Sequence, residues 1–314
     1  MLDRLAMPLA AGALLLGGTA GAAHGQRDRA RFRSDDRSRV DTTVAIDKGG
    51  SVTVSAGGGD IVITGWSRDQ VQVHAASDGG DIRFDASASR VNLELTGRSR
   101  GSDARLELSV PYGVRVLART QSGDVSVRGT RGEVEAHAQS GDIVIEDVTN
   151  RLDVNTLSGD ITVSNVSGDV EIGSVNGDVK VTDLRGNAEI STVSGEVGLR
   201  GVTSKLVRAK TTSGDVTFDG AIDPAGRYEL GAHSGDIHLH VPREASAQLT
   251  VSTWNGEISS DFPITLKPGE HGIGSASTKR FTFSIGGGAA RITAETFSGD
   301  VIISANGRGA SARP

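Results

Sequence analysis

The strongest constraint on the fold is a short phrase of Ser or Asn, Gly and an acidic residue that returns every 18 residues. Between residues 119 and 200, five copies of this phrase place their acidic residues at Asp124, Asp142, Asp160, Asp178 and Glu196. Apolar residues follow each acid at the first and third positions, as Ile143 and Ile145 follow Asp142. Alternation with a period of two predicts a strand with one buried face, and a fixed repeat of about 20 residues is typical of solenoid proteins.

A second series of turns lies halfway between the copies of this phrase. Gly132, Gly168 and Gly186 mark it, and each is followed by its own alternating apolar pair. One repeat therefore reads as strand, turn, strand, turn, which leaves no residues for a helix. We predict an all-β fold, a single-chain parallel β-solenoid with 18–21 residues and two strands per coil. Each strand would pair with its equivalent one coil away, at a spacing of about 4.8 Å.

The N-terminal residues 1–25 read as a secretory signal peptide. Arg4 precedes an apolar run from Leu5 to Leu16, and small residues follow before a cleavage point between Ala22 and Gln26. An uncleaved membrane anchor is the alternative interpretation. The run is short and rich in Gly for a membrane span, so we expect no span after signal cleavage.

The rest of the chain divides into three predicted segments. An Arg-rich linker covers residues 26–41, the β-solenoid domain covers residues 42–304, and a flexible tail covers residues 305–314. The linker holds six Arg residues, which is typical of a solvated segment. Weak attraction of these Arg residues to anionic lipid or to a cell-surface polymer is the alternative.

Composition and charge limit the compartment and the partners. The signal peptide predicts an exported protein that is periplasmic, bound at the cell surface or secreted. The chain has no cysteine, so it has no disulfide, no lipoprotein attachment site and no thiolate chemistry. The net charge of -6 is mild and negative, which argues against a nucleic-acid partner.

The repeated turns have a structural and a functional interpretation. In the structural one, Gly supplies the positive φ that a tight reversal needs, and the neighbouring acid accepts hydrogen bonds from the turn. In the functional one, stacked coils place the acids from Asp124 to Glu257 in a column that binds calcium, with Asp142, Asp160 and Asp178 as candidate ligands. Calcium needs six to eight oxygen ligands. A single Gly per turn also departs from the known calcium-binding nonapeptide, so we expect no cofactor and keep calcium as the alternative.

A row of outward residues is predicted three positions before each acid. The residues four and six positions before the acid share the buried parity, so the third position faces solvent. In chain order the row holds Gln121, Gln139, Leu157, Val193, Thr212, His233, Trp254 and Phe297. The row becomes aromatic toward the C-terminal end, so His233, Trp254 and Phe297 are the candidate binding-surface residues. The alternative is that bends near the turn rotate Trp254 and Phe297 into the core.

No catalytic constellation is present in the sequence. It contains no Gly-x-Ser-x-Gly elbow, no Walker loop, no dinucleotide fingerprint and no His-Glu-x-x-His motif, so we predict no enzyme and name no catalytic or cofactor-binding residue. His238 and His240 share one face of a strand, with His233 just before the turn. A zinc site drawn from these three His residues is the alternative to an isolated surface pair.

Three stretches of the chain resemble a known family. They are Gly59–Trp66, Val110–Val114 and Thr296–Val301. These stretches resemble candidate adhesins of bacteria that are built from a β-strand-repeat domain of unknown function, DUF4097. The resemblance covers about residues 42–304 and implies a β-solenoid in an exported or envelope-associated protein. It brings no functional residues with it.

The sequence thus predicts a non-enzymatic, exported β-solenoid that acts as an adhesin or as an envelope binding or scaffold protein. Its partner would be a cell-surface glycan or an envelope protein. Two alternatives stay open at this stage: a polysaccharide-active β-helix enzyme, and a structural envelope protein that calcium stabilises.

Overall fold

The structure is a computed structural model that describes residues 38–97, 104–263 and 279–306. The predicted signal peptide, most of the Arg-rich linker and most of the C-terminal tail lie outside the described residues. All regular structure within the described ranges is β, so the prediction of an all-β fold is confirmed. These ranges contain no helix that is long and apolar enough to cross a membrane.

The described residues form 24 strands of one mixed sheet. In chain order the strands are Ser38–Ala45 (β1), Ser51–Ala56 (β2), Asp60–Trp66 (β3), Gln70–Ser77 (β4), Asp81–Ser87 (β5), Arg90–Thr96 (β6), Arg105–Pro111 (β7), Arg115–Ser122 (β8), Val125–Arg128 (β9), Val134–Ser140 (β10), Ile143–Val148 (β11), Leu152–Ser158 (β12), Ile161–Ser167 (β13), Val170–Asn176 (β14), Val179–Arg185 (β15), Ala188–Ser194 (β16), Val197–Ser213 (β17), Val216–Ser234 (β18), Ile237–Pro242 (β19), Ala247–Asn255 (β20), Ile258–Ser260 (β21), Lys279–Ile285 (β22), Ala290–Ser298 (β23) and Val301–Asn306 (β24).

The strands of the central region form two parallel stacks. The leading stack holds the strands that precede a Ser-Gly-acid turn, namely β8, β10, β12, β14, β16 and the second halves of β17 and β18. The following stack holds the strands after that turn, namely β9, β11, β13, β15 and the first halves of β17 and β18. Val134 stands beside Leu152 and Ile143 beside Ile161, so residues that are equivalent in sequence are neighbours in space.

Both ends of the sheet depart from the parallel pattern. At the N-terminal end β1 pairs with β4, β4 with β7 and β5 with β6, all antiparallel, and at the C-terminal end β22 pairs antiparallel with β20. The expectation of a parallel array over all of residues 42–304 is therefore wrong at the ends. Only Ala88 and Ser89 separate β5 from β6, and a connection this short favours an antiparallel hairpin. The chain reverses direction at residues 67–69, so β4 runs antiparallel to β7, which is the parallel neighbour of β3.

The order of the strands in space is permuted near each end. In the leading stack β2 lies between β6 and β8, and in the following stack β3 lies between β7 and β9. Likewise β23 lies between β18 and β20, and β24 lies between β19 and β21. The expected column order, in which Glu257 follows Asp236 directly, is therefore wrong, because Asp300 stands between them. An inserted strand bonds to neighbours on both sides, so its own N–H and C=O groups are paired on each side.

One hydrophobic core fills the space enclosed by the strands. It is built from the alternate residues predicted to face inward, mostly Val, Ile, Leu and Ala, and many of them have no exposed surface. The buried residue just before each turn is often Thr, as at Thr211 and Thr253, whose hydroxyl groups donate to glycine carbonyl groups. Each of these Thr residues comes directly before a residue of the outward row, as Thr253 comes before Trp254.

Glycine is required at the turns for two reasons. The turn residues Gly141, Gly159 and Gly177 have φ values of 127°, 127° and 135°, a region that residues with a side chain rarely adopt. A Cβ atom on Gly159 would also overlap the carbonyl group of Gly141 one coil away. The sequence predicted the first reason, but the second appears only when the coils are stacked.

A tyrosine fills the interior of the coil between Asp215 and Asp236. Tyr228 is fully buried and packs edge-on against Phe218, with 5.5 Å between the ring centroids. Its hydroxyl group donates to the carbonyl oxygen of Ser204 at 2.7 Å and accepts from the backbone N–H of Asp223 at 2.8 Å. Burial raises the pKa of this hydroxyl above its usual value. The hydroxyl group of Tyr228 thus ties the segment that contains Pro224 to the neighbouring coil.

Replacing a turn glycine by alanine tests the close approach of the coils. Gly159→Ala adds a Cβ at positive φ against the backbone of Gly141, so we expect it to lower the free energy of unfolding by about 2 kcal/mol or more. The matched control is Gly113→Ala, because a Cβ there meets nothing within 4 Å. Urea unfolding of both variants measures the difference. Equal stability of the two variants would contradict the stacking of these turns.

Candidate functional site

The outward row before the turns forms a continuous strip on the leading stack. From the N-terminal end the strip consists of Gln121, Gln139, Leu157, Val175, Val193, Thr212, His233, Phe297 and Trp254, one residue from each successive strand. Neighbouring strands lie about 4.8 Å apart, so the nine residues span about 38 Å. Val175 was missed in the sequence, although its position three residues before Asp178 was a sufficient signal.

The strip is exposed, as the alternation of buried residues predicts. The exposed fraction is 52% for Leu157, 48% for Val193, 46% for Phe297 and 42% for Trp254. The alternative that Trp254 and Phe297 turn into the core is therefore wrong, because their inward neighbours already occupy it. The exposed large apolar residues of the strip are thus Leu157, Val175, Val193, Phe297 and Trp254, and polar residues occupy its other positions.

Three aromatic side chains at the C-terminal end of the strip stack on one another. The rings of His233 and Phe297 are 4.9 Å apart and inclined by 12°, and those of Phe297 and Trp254 are 5.8 Å apart and inclined by 14°. The insertion of β23 between β18 and β20 places Phe297 in the middle. The sequence indicated the three residues but not this order.

Short polar side chains border the strip on its turn side. The residues next to the strip are Ser122, Ser140, Ser158, Asn176, Ser194, Ser213, Ser234, Ser298 and Asn255. On the other side, Gly231 and Ser252 leave a shallow depression of about 370 Å³ beside Phe297 and Trp254. The strip thus has neutral Ser and Asn groups on its turn side, while Lys210 and Glu295 also line the depression on the other side.

Beyond the Ser and Asn row, the acidic residues of the turns form a column held by hydrogen bonds. The Oδ1 atom of Asp142 accepts from the backbone N–H of Asp160 at 2.9 Å, and Oδ1 of Asp160 accepts from that of Asp178 at 2.9 Å. The same bond joins successive acids in two runs, Asp60–Asp124–Asp142–Asp160–Asp178–Glu196 and Asp215–Asp236–Asp300–Glu257. The first run ends at Glu196 and the second at Glu257.

The column carries uncompensated negative charge. Among the described residues, none of the ion pairs within 4.0 Å involves a member of the column. Each Asp uses Oδ1 for the neighbouring N–H, which leaves its second oxygen for another partner. Like charges about 4.8 Å apart repel by about 1 kcal/mol in water. The column therefore favours a neutral or cationic neighbour.

The candidate calcium ligands lie in this column, one in each coil. Asp142, Asp160 and Asp178 each bond the next turn through Oδ1, which gives the repeated acid a structural role. Within residues 38–97, 104–263 and 279–306, no three His, Cys, Asp or Glu side chains are grouped so that they could hold a metal ion. Calcium binding stays a prediction.

The three candidate zinc ligands do not form one cluster. His238 and His240 lie on β19 in the following stack, whereas His233 belongs to the aromatic strip of the leading stack. The Nδ1 atom of His240 is 2.7 Å from the hydroxyl of Ser304, and one of the two groups donates to the other. His240 therefore makes a local contact between the neighbouring strands β19 and β24.

The fold and the strip define a class, an all-β repeat protein with an exposed apolar row. The chain belongs to the Toastrack DUF4097 family, whose profile matches residues 99–304. A comparison with curated proteins gave no match.

Solved structures of three bacterial proteins are similar to the chain. A candidate lipid-binding protein from Parabacteroides distasonis is 9% identical with a TM-score of 0.48, over 87% of this chain and 98% of that one. A candidate adhesin from Bacteroides fragilis is 11% identical with a TM-score of 0.40, over 86% and 98%. A candidate cell adhesion protein from Clostridium sporogenes is 11% identical with a TM-score of 0.24, over 86% and 100%.

Substitution of one acid separates the hydrogen-bonding role of the column from calcium binding. Asp160→Ala removes the acceptor for the N–H of Asp178, so we expect a loss of about 1 kcal/mol of stability. Asp160→Asn keeps an oxygen at the same place and removes one repelling charge, so its stability should equal or exceed that of the wild type. Thermal unfolding with and without calcium measures both effects. A calcium-dependent gain that Asp160→Asn abolishes would contradict a purely structural column.

Proposed function

We propose that the chain is an exported, non-enzymatic β-solenoid that binds a glycan or protein surface of the cell envelope through the strip. The strip itself is the observation that supports this function most strongly. It is a straight row that exposes Leu157, Val175 and Val193 to solvent, and it ends in a stack of three aromatic rings.

The pairing of the strands supports a solenoid. In both stacks each strand pairs in parallel with the equivalent strand of the next repeat, so the chain winds about a common core in the central region. The antiparallel strands β5 and β22 then cover the two ends of the leading stack. A solenoid holds equivalent side chains in straight rows, which creates extended surfaces suited to binding long partners.

The exposure of apolar side chains in the strip supports a binding role, because a partner that covers them gains free energy. Exposed Leu, Val, Phe and Trp side chains gain roughly 25 cal/mol for each Å² of apolar surface that a partner covers. The strip position does not require these residues for folding, because Gln121 and Gln139 occupy it in the first two coils. An apolar residue in the later coils is therefore explained by a contact outside the chain.

The distribution of acids supports a role without catalysis. A hydrolase that cleaves glycosidic bonds uses one pair of carboxyl groups across a groove, with one of them kept protonated. Here the acids are spaced one per coil along the turns, and each is tied to the next by the same hydrogen bond. This regular arrangement matches a repeated structural element more closely than a single reaction centre.

Removal of two aromatic rings tests the proposed function. We expect Trp254→Ala with Phe297→Ala to weaken binding at least tenfold, because truncating one well-placed aromatic contact costs about 1–2 kcal/mol or more. The matched control is Gln121→Ala with Gln139→Ala, which changes the same strip at its polar end. A glycan array and an envelope pull-down with residues 26–314 supply the measurement.

Two results would contradict the proposal. In the first, the aromatic variant retains every partner of the wild type, which would separate binding from the strip. In the second, glycans of the array are cleaved by the wild-type chain, which would show an enzyme.

A further inference from the structure

We propose that the aromatic end of the strip binds a linear polysaccharide of amino sugars that carry free ammonium groups. This inference rests on the proposed function and names the ligand of the same strip. It is drawn from the chemistry of three neighbouring coils, in which one pattern of side chains is presented three times in succession.

Each of the three coils presents an aromatic ring, a short polar side chain, a glycine and an acid. The three sets are His233-Ser234-Gly235-Asp236, Phe297-Ser298-Gly299-Asp300 and Trp254-Asn255-Gly256-Glu257. The register of β18, β23 and β20 aligns the sets, so rings, polar groups and acids form three parallel rows. A ligand that crosses the coils meets the same groups at steps of about 4.8 Å.

The three rows together match an ammonium-bearing sugar. The apolar C–H faces of sugar rings can pack on the row of aromatic rings, and cations are attracted to the faces of Trp and Phe. Hydroxyl groups of the sugar can exchange hydrogen bonds with the Ser and Asn row. The acids come three residues after the rings, and an ammonium group of the ligand that reaches them would form charge-assisted hydrogen bonds, which are stronger than neutral ones.

The acids of the column favour a cationic ligand over an acidic one, although Lys279 Nζ donates to the carbonyl oxygen of Gly256 at 2.9 Å and Lys210 borders the depression beside Trp254 and Phe297. The second oxygens of Asp236 and Asp300 have no ion-pair partner among the described residues, while their Oδ1 atoms accept the N–H groups of Asp300 and Glu257. An acidic polysaccharide on the strip would place its carboxylates beside these acids and be repelled. A ligand with ammonium groups is attracted by the same acids, and salt should weaken that attraction.

Periodicity favours a polysaccharide over a protein partner. The bordering row repeats Ser or Asn in every coil, and a polymer of identical units can use each repeat in the same way. The strip is also narrow. A length of about 38 Å and a width of about 10 Å give about 400 Å², roughly half of the 800 Å² that each partner buries in a standard protein interface. A single extended chain fits this area.

Calorimetric titration with defined oligosaccharides tests the inference. The probes are an oligomer of β-linked glucosamine, its fully N-acetylated counterpart and an oligomer of galacturonic acid, in a buffer acidic enough to keep the amine charged. We expect the glucosamine oligomer to bind at least tenfold more tightly than the acetylated one, and the galacturonate oligomer not to bind. The affinity for the glucosamine oligomer should fall as salt is added.

Two double substitutions test the contributions of the aromatic row and of the acidic row separately. Trp254→Ala with Phe297→Ala should reduce binding of both glucosamine oligomers at least tenfold. Asp236→Asn with Asp300→Asn keeps the oxygens that accept the N–H groups, so the fold is retained. This pair should abolish the preference for the charged oligomer and leave binding of the acetylated one unchanged. An unchanged preference in the Asn variant would overturn the inference.

The outcomes distinguish the inference from the proposed function. Equal binding of the charged and acetylated oligomers, tighter binding of galacturonate, or equal binding of an oligolysine peptide would each overturn the amino-sugar ligand. If that binding still depended on Trp254 and Phe297, the proposed function would stand. If no glycan and no envelope protein bound in a manner that depends on these two rings, the inference and the proposed function would both fail.

Discussion

The structure depends on hydrogen bonds between the backbones of equivalent residues in neighbouring coils. The turn of each coil approaches the next so closely that a glycine lies against a glycine, and the acid beside it accepts the next N–H group. Because this contact repeats without change, side chains at equivalent positions are held in straight rows. The buried core, the acidic column and the apolar strip all result from it.

Much of the central region could be predicted from the sequence, because a repeat with alternating apolar residues determines its own register. The outward position of Trp254 and Phe297 followed from the same parity. The Gly-acid phrase indicated its turns, whereas the hydrogen bond that Asp160 accepts from the N–H group of Asp178 in the next coil could not be inferred before the coils were stacked. The carboxylate that looked like a calcium ligand is therefore already an acceptor for the backbone.

The ends could not be predicted, because strand order there is decided by contacts far apart in sequence. Nothing in the local pattern of residues 290–306 shows that these strands lie between β18 and β20 and between β19 and β21. Edge strands with free N–H and C=O groups favour such insertion. The aromatic stack depends on it, since Phe297 would otherwise lie outside Trp254 and not between the two other rings.

The insertion of β23 is tested most directly by disulfide trapping, since the natural chain has no cysteine. Ser234 and Ser298 stand side by side in neighbouring strands, about 4.8 Å apart, which suits a disulfide. Ser234 and Asn255 are separated by a whole strand, about 9.6 Å, which is too far. We predict that mild oxidation closes the bond in Ser234→Cys with Ser298→Cys and not in Ser234→Cys with Asn255→Cys, as read by peptide mapping. The reverse result would contradict the order of strands on which the aromatic strip is built.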